Sequence, residues 1–305
     1  MTDPDFTDCI VIGAGPGGMT AALYLNRFHR TVTVLDAGNS RAHWIPRTHN
    51  CPGFPDGVSG DDLLQRLRTQ ATDYHTQIIT TTAARLEQVD GGFRVIDTEG
   101  RQYHGRTIVL ATGIEDVLPP QSWVEQAIDC GAMRLCAICD GFEVSDKDLA
   151  VYGPLVSGFK HARFMRTYSA TVTLVQSDDT EVNTELRQRA QDSGIALMQK
   201  PRRLLFDGTR CGFLDSNGER RDFDTLYPVL GSRSQATLAI ALGARVDEED
   251  ELVVTADQMS SVDGLYAIGD VVSALNQISV AVGHAAVAAT TIHNLLPPKP
   301  RLGKP

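Results

Sequence analysis

Two cysteines separated by two residues, Cys136 and Cys139, are the most reactive group that the sequence offers, and Asp140 follows them directly. A CxxC spacing brings both sulfurs onto one helical turn, where they can form a disulfide, and a helix N-terminus lowers the pKa of a thiol. Asp140 can hold or deliver the proton that thiol–disulfide exchange requires. The pattern predicts a redox pair, with half of a zinc site or two core cysteines as alternatives. Because only one pair has this spacing, no metal site is predicted.

A glycine-rich turn near the N-terminus, residues 13–18, fits G-x-G-x-x-G between an apolar run and a helical pattern. Glycines permit a tight turn and close approach to a pyrophosphate, and the helix N-terminus attracts the phosphates. Asp36 ends the next apolar run, where a carboxylate accepts both hydroxyls of a ribose. The sequence therefore predicts a dinucleotide site that includes Gly13, Gly15, Pro16, Gly18 and Asp36.

Two later turns favour a flavin over a nicotinamide at this site. Ala111-Thr112-Gly113 and Gly269-Asp270 each follow a strand pattern, as in FAD domains that are built from two parts of a chain. Asp270 is expected to accept a ribityl hydroxyl. Gln277-Ile278 opens a long Ala-rich helix, whose N-terminus can stabilise the negative charge of a reduced flavin.

The elements that position these residues alternate between strand and helix. The strand patterns 9–12 and 31–35 enclose a helical pattern at 19–28, and a second set repeats this order at 149–152, 159–168 and 171–175. A further strand at 107–110 and a helix at about 279–295 complete the pattern. We predict an α/β fold with duplicated βαβ architecture.

The bulk properties limit the classes of partner. The 305 residues suffice for two domains, and the net charge of 28 − 38 = −10 argues against nucleic acids and anionic membranes. The sequence contains no run of 18 or more apolar residues, so no membrane span is predicted. Residues 1–5 are acidic and do not resemble a signal sequence. We therefore expect a cytoplasmic protein.

Taken in order, these motifs and Asn50-Cys51-Pro52-Gly53 resemble the low-molecular-weight thioredoxin reductases, FAD-dependent pyridine nucleotide-disulfide oxidoreductases of class II, over about residues 8–295. The resemblance implies two Rossmann-like, three-layer ββα domains and a homodimer. It implies a discontinuous FAD domain, residues 1–117 and 235–305, with an inserted central domain, residues 118–234, that carries the CxxC pair.

The resemblance also implies roles for individual residues. Cys139 corresponds to the sulfur next to the flavin, Cys136 to the thiol that attacks a partner disulfide, and Asp140 to the acid/base. Asn50, Gln277 and Ile278 correspond to flavin contacts. The implied partner is a thioredoxin-like protein or a small disulfide or dithiol.

The central domain departs from the family at two places. Gly153-Pro154-Leu155-Val156-Ser157-Gly158 has Leu155 where a nucleotide loop has its second glycine, and Pro154 removes an amide donor. Gln176-Ser177-Asp178-Asp179 stands where the family's NADPH enzymes place a His-Arg-Arg cluster, and two carboxylates would repel the 2′-phosphate. We expect that NADPH is not used efficiently.

Several electron sources then remain open. A ferredoxin-like carrier, a dithiol, or a second FAD in the central domain can replace NADPH, and Lys200, Arg202, Arg203, Arg220 and Arg221 are candidates for a docking patch. The leading hypothesis is a reductase that does not depend on NADPH. The alternatives are an NADPH-dependent thioredoxin reductase, a flavin-dependent dithiol oxidase, and a non-catalytic flavin redox sensor.

Overall fold

Strands and helices alternate along most of the chain in the computed structural model, which describes residues 6–272 and 275–300. Residues 1–5, on which the expectation of no signal sequence rests, lie outside the described residues. The strands are β1 (Thr7–Ile12), β2 (Val32–Asp36), β3 (Gln77–Thr80), β4 (Ala83–Val89), β5 (Gly92–Asp97), β6 (Gln102–Leu110), β7 (Ile114–Asp116), β8 (Leu149–Gly153), β9 (Val172–Gln176), β10 (Ile195–Met198), β11 (Arg203–Phe206), β12 (Cys211–Leu214), β13 (Arg220–Phe223), β14 (Thr225–Pro228), β15 (Ser232–Ser234) and β16 (Leu265–Ala267). The helices are α1 (Pro16–Arg27), α2 (Gly60–Asp73), α3 (Val124–Asp129), α4 (Ala137–Asp140), α5 (Leu155–Met165), α6 (Thr184–Asp192), α7 (Thr237–Ile240) and α8 (Ile278–Leu295), with short 3₁₀ helices at Arg41–Trp44, Phe142–Val144 and Gly269–Val271.

The first of two compact units is built on a seven-stranded sheet and comprises Met1–Ile45, Val58–Glu115 and Arg233–Pro305. Its strand order is β3-β2-β1-β6-β5-β4, with β16 also paired to β6. Strands β3, β2, β1, β6 and β16 run parallel, and β4, β5 and β6 are antiparallel. Alternate residues of β1 face opposite sides of the sheet, so Cys9 and Val11 pack with α1 and α8, while Ile10 and Ile12 pack with β4, β5 and α7.

The second unit comprises Pro46–Gly57 and Asp116–Ser232 and repeats the same layers. A parallel sheet in the order β10-β9-β8-β14 has α5 and α6 on one face and the antiparallel strands β11-β12-β13 on the other. Each unit is thus a three-layer α/β fold of the Rossmann type, as the sequence predicts. Residues 46–57 belong to this unit; the domain limits drawn from the resemblance stay a prediction.

Helix α8 has the length and apolar composition of a membrane span by those criteria alone. Its buried residues include Ala281, and Ala285, Ala288, Ala289 and Ile292 lie in the same core cluster as residues of α1. Small residues let the two helices approach closely. This packing is that of a core helix in a three-layer unit, and the absence of a membrane span stays a prediction.

Candidate active site

The glycine loop and the Ala111 turn meet at the carboxyl ends of β1 and β6. Gly13 has a φ of +104°, and a side chain there would place its Cβ 2.4 Å from the carbonyl oxygen of Ala111. At Gly18 a Cβ would lie 1.9 Å from the carbonyl oxygen of Gly13. Two of the predicted motifs therefore form one surface, and only glycine fits at these two positions.

Helix α1 presents its N-terminus at this loop. Gly15 is the N-cap, Pro16 is the first helical residue, and among the described residues no side chain caps this end. Proline suits this position because the first amides of a helix have no partner within the helix. The arrangement leaves backbone donors and the positive end of the helix dipole for an anion such as a pyrophosphate.

Asp36, at the end of β2, lines a groove of about 250 Å³. Its Oδ1 accepts a hydrogen bond from the Gly38 amide at 3.1 Å, and its Oδ2 accepts from Arg68 at 2.6 Å. A carboxylate has about four acceptor positions, so these partners leave capacity for ribose hydroxyls. The groove fits the adenosine half of FAD, and its lining residues are Ala14, Asp36, Gly38, Ser40, His43, Asp61, Leu64, Gln65 and Arg68.

The second set of predicted cofactor residues also lies in the first unit. Gly269 has a φ of +75°, and its amide donates to Nδ1 of His284 at 3.3 Å; burial lowers the pKa of His284, which favours this neutral, accepting form. Asp270 lies 3.4 Å from Arg41. Thr112 donates to the carbonyl oxygen of Gln235 at 2.7 Å, and Gly113 has a φ of +68°.

The N-terminus of α8 carries the remaining predicted flavin contacts of this unit. Gln277 is the N-cap and Ile278 the first helical residue, and the Gln277 side chain donates to the carbonyl oxygen of Asn276 at 2.8 Å. The Oδ1 of Asn276 is buried and has no hydrogen-bond partner among the described residues. Buried acceptors are rarely unpaired, so this atom fits a site that a ligand completes. The first unit thus has the residues that FAD binding requires.

The redox pair lies in the second unit. Cys136 and Cys139 form a disulfide, with their Cα atoms 5.3 Å apart, which confirms the prediction that the pair can bridge. Cys136 is the N-cap of the single turn α4, and its Sγ accepts from the Cys139 amide at 3.1 Å. Within the described residues no group of three or more His, Cys, Asp or Glu side chains is arranged to hold a metal ion. The absence of a metal site stays a prediction.

Asp140, the last residue of α4, is hydrogen-bonded on both carboxylate oxygens. Tyr227 donates to Oδ1 at 2.9 Å, and Arg134 lies 3.1 Å from Oδ2. Burial raises the pKa of Asp140, and the Arg134 charge and the Tyr227 hydroxyl only partly offset it. A carboxyl group with a raised pKa is suited to proton transfer. Sequence reasoning missed both partners, because Tyr227 is 87 residues away and neither belongs to a recognisable motif.

Asn50 lies beside the redox turn, in the second unit. Its Nδ2 donates to the carbonyl oxygen of Ile138, between the two cysteines, at 3.4 Å, and its Oδ1 accepts from Thr48 at 2.8 Å. The neighbouring His49 lies 3.0 Å from Glu143. The structure thus brings Asn50 to Cys136–Cys139, whereas the other predicted flavin contacts, Gln277 and Ile278, lie in the first unit; the flavin role of Asn50 stays a prediction.

In the loop between β8 and α5, a carboxylate of the chain itself contacts the first amide of the helix. The amide of Leu155 lies 3.3 Å from each carboxylate oxygen of Asp178, so that side chain caps α5. The sequence-based expectation that the Leu155 side chain itself stands at the pyrophosphate position is wrong, because Leu155 is 2% exposed and packs in the core with Phe159 and Leu174. Its apolar side chain gains more from burial than from a place in the loop.

Three of the five basic residues considered for docking lie in ion pairs. Lys200 lies 2.7 Å from Asp179, and Arg220 contacts Asp222 at 2.8 Å and Asp207 at 3.0 Å. Arg221 is 4.0 Å from Asp148. These pairs cancel much of the positive charge that an acidic carrier would need.

Comparison with known proteins identifies the family. The family model described as pyridine nucleotide-disulphide oxidoreductase matches residues 7–285. The chain belongs to this family. Thioredoxin reductase 1 of Saccharomyces cerevisiae is 28% identical over 92% of the chain and 94% of the yeast protein, and the thioredoxin reductase of Streptomyces coelicolor is 27% identical over 93% and 92%.

Solved structures agree over nearly the whole chain. The crystal structure of HlmI has a TM-score of 0.88 and 26% identity, and covers 96% of this chain and 93% of its own. The thioredoxin reductase of Streptococcus pyogenes, at 23% identity, shows the same fold with a TM-score of 0.86 over 96% and 98%. The chain is therefore a thioredoxin-reductase-like, FAD-dependent disulfide oxidoreductase, as the sequence analysis predicts.

Proposed function

We propose that this chain exchanges two electrons between bound FAD and the Cys136–Cys139 pair without using NADPH as an efficient donor. The observation that carries the proposal is the contact between Asp178 and the Leu155 amide. In a nucleotide-binding loop the helix N-terminus receives the pyrophosphate. Here an internal carboxylate takes that place, so a phosphate would have to displace one anion and lie beside another.

Asp178 is ionised at neutral pH, so its negative charge opposes a phosphate at this position. Partial burial raises the pKa of Asp178, but hydrogen bonds from the Thr180 hydroxyl and the Leu155 amide outweigh it and hold the pKa below its ordinary value. Asp179 adds a second charge, which Lys200 neutralises. Because Lys200 is paired with Asp179, it does not replace the arginines that hold the 2′-phosphate in NADPH enzymes.

The remaining glycines of this loop are explained by the fold alone. A Cβ at Gly153 would lie 2.5 Å from the carbonyl oxygen of Val229, and one at Gly158 would lie 2.6 Å from Leu174 Cδ1. Residue 153 therefore needs glycine because rigid backbone faces it, whereas glycine at residue 158 is favoured by its close packing against the Leu174 side chain. The position that only a ligand requires to be glycine is residue 155, and it is the one that has changed. The same argument disfavours a second FAD in this unit.

Bound FAD supplies the two-electron chemistry, and the chain's own residues supply the thiol chemistry. We assign Cys136 to attack on the partner sulfur, Cys139 to exchange with the flavin, and Asp140 to proton transfer. The flavin is held by the Gly13–Gly18 loop, by Asp36, by Asp270 and by the N-terminus of α8. These assignments rest on the placement of the residues and on the family.

The surface at the redox turn favours a substrate with an apolar contact face. Phe142 is 79% exposed and Ile138 is 49% exposed, and both lie within three residues of Cys139. Exposed apolar side chains beside a reactive group are typical of binding sites. A thioredoxin-like protein, the substrate that the names of the relatives indicate, and a small apolar disulfide or dithiol both meet this requirement. We also expect the cytoplasm as its location and a homodimer as its assembly.

A second function, dithiol oxidation, is favoured by the pairing of the basic residues. Lys200, Arg220 and Arg221 are engaged with carboxylates, which reduces the positive charge that these residues offer to a ferredoxin-like carrier. A substrate dithiol needs no such charge. It would reduce the Cys136–Cys139 disulfide and leave as a disulfide, and its two electrons would pass through the flavin to oxygen.

Calorimetric binding of 2′,5′-ADP, the part of NADPH that carries the phosphates at both ends of the adenosine, tests the proposal. We expect no measurable heat with the wild type, and binding with Leu155→Gly/Asp178→Ser. Asp179→Ser is the matched control, because it removes one charge without touching the Leu155 amide. Tight binding of 2′,5′-ADP to the wild type would contradict the proposal.

A further inference from the structure

The Asp140 network, which we define as Arg134, Asp140 and Tyr227, joins the redox turn to β14, the strand that pairs with β8 at the end of the parallel sheet of the second unit. Tyr227 lies in β14, is 3% exposed, and pairs in register with Val151 of β8. The backbone amide of Arg134 donates to the carbonyl oxygen of Leu226, at 2.9 Å. Both partners of the Asp140 carboxylate are therefore fixed by adjacent residues of one strand.

Asp140 is held equally firmly from its own side. Its amide donates to the carbonyl oxygen of Cys136 at 3.2 Å, so the carboxylate belongs to the same turn as the disulfide. The next residue, Gly141, packs so closely against Tyr168 that a Cβ would lie 2.4 Å from the ring. The turn cannot shift to carry Asp140 away from its partners without a change in this contact.

We infer that Arg134 and Tyr227 are positioning residues, which orient the Asp140 carboxylate and set the pH range over which it exchanges protons with the redox cysteines. The inference rests on the proposed role of Asp140 as acid/base. Both partners donate, and a donor stabilises the ionised form of a carboxylate. Without them, burial alone would raise the pKa of Asp140 further and favour its protonated form, in which it cannot act as a base.

Other ionisable groups near Asp140 act in the opposite sense or are already paired. Glu143 raises the pKa of Asp140 by charge repulsion, and it is itself 3.0 Å from Nδ1 of His49. Arg134 and Tyr227 are thus the groups that favour the ionised form of the Asp140 carboxyl group.

The step that the network supports is the oxidation of the reduced pair by a disulfide. Asp140 takes the proton of the Cys136 thiol, and the Cys136 thiolate attacks one sulfur of the substrate. The substrate S–S bond breaks, and the thiolate that leaves takes the proton from Asp140. Cys139 then attacks Cys136, the second substrate thiol leaves with the Cys139 proton, and the Cys136–Cys139 bond forms again.

The test uses the full-length flavoprotein, reduced anaerobically with dithiothreitol, freed of excess reductant and mixed with an aromatic disulfide that releases a coloured thiol. The exchange rate is measured from acid to alkaline pH. We expect Arg134→Met and Tyr227→Phe each to move the midpoint of the profile to higher pH, with a loss of about tenfold at a pH near the wild-type midpoint. Arg134→Lys, which keeps the charge, should restore most of the wild-type profile.

Two variants separate the possible failures. Tyr103→Phe removes a tyrosine–aspartate hydrogen bond of 3.0 Å in the first unit and should leave the profile unchanged. Asp140→Asn should slow exchange about 100-fold near neutral pH, and the loss should shrink at alkaline pH, where a cysteine thiol ionises without a base. A wild-type exchange rate in Asp140→Asn would show that Asp140 is not the acid/base. A slow Asp140→Asn with wild-type profiles in Tyr227→Phe and Arg134→Met would overturn the inference about the network. The use of dithiothreitol makes both results independent of the natural donor.

Discussion

The two glycine loops of this chain, one in each unit, follow the same plan and differ in what they can bind. Each connects a parallel strand to a helix, and each keeps the first and last glycine of the motif. At Gly13 and Gly153 a side chain would strike a carbonyl oxygen, and at Gly18 and Gly158 it would strike the loop or the sheet. The fold accounts for all four glycines, strictly at Gly13, Gly18 and Gly153, where backbone faces them, and less strictly at Gly158.

The difference lies at the positions that a ligand requires. The first loop keeps Gly15, and the acid at the end of the following strand, Asp36, faces a groove. The second loop has Leu155, and the acid beyond the following strand, Asp178, turns back to cap the helix. Comparison of the two loops therefore separates the part of a nucleotide motif that belongs to the fold from the part that belongs to the ligand.

The largest expected effect is on the first loop. Gly18→Ala places a Cβ against rigid backbone, and we expect a loss of about 3 kcal/mol or more in the free energy of unfolding. Gly158→Ala meets only the end of the Leu174 side chain, which can move, so its loss should be about 1 kcal/mol. Urea denaturation of both variants checks the order. Equal losses would show that the last glycine has the same role in each unit.

The second largest expected effect is a loss of FAD affinity. Asp36→Ala removes the carboxylate that lines the adenosine groove, and we expect about tenfold to hundredfold weaker binding of FAD to the apoprotein. Asp178→Ala should leave FAD affinity unchanged. Fluorescence titration of the apoprotein with FAD measures both variants. Weaker FAD binding in Asp178→Ala would mean that the second loop also holds a flavin.

A smaller effect concerns the stability that Asp178 gives to α5. Asp178→Ala removes a helix cap and should lower the free energy of unfolding by about 1 kcal/mol at neutral pH. The pKa of Asp178 is lowered in the folded protein, so the stabilisation is present above the unfolded pKa and is lost as the pH falls through the folded pKa. The difference between wild type and variant should therefore close in acid. A difference that is constant with pH would contradict the charged cap.

The smallest effect is expected at the surface pair of Lys200 and Asp179. The Lys200–Asp179 pair is exposed and screened by solvent, so Lys200→Ala should leave the free energy of unfolding nearly unchanged. It should also leave the rate of exchange with a disulfide unchanged. A marked loss of electron uptake from an acidic carrier protein in this variant would restore the docking role of the basic residues.

Local patterns predicted most of the fold. The run of apolar residues before Gly13 and the acid after the next run sufficed for the βαβ unit, although α1 begins at Pro16 and not at Met19, because proline is favoured in the first turn. Likewise α5 begins at Leu155, four residues before the predicted start, since its cap comes from Asp178 rather than from the preceding loop.

The parts of the site that could not be predicted depend on contacts between distant residues. Tyr227 reaches Asp140 only because β14 lies beside β8 in the sheet, and Asn50 reaches Ile138 across 88 residues. The role of Asp178 was predicted in sign but not in mechanism. Its charge is visible in the sequence, whereas its contact with the Leu155 amide appears only when the strand and the helix are packed together.

The central claim, that the second loop no longer serves a nicotinamide donor, is tested most directly by anaerobic titration of the flavoprotein with NADPH and, separately, with NADH. The flavin absorbance is followed, and dithionite gives the fully reduced reference. We predict that both nucleotides leave the flavin oxidised and that dithionite bleaches it. Bleaching by stoichiometric NADPH within seconds would contradict the account and identify the chain as an NADPH-dependent reductase.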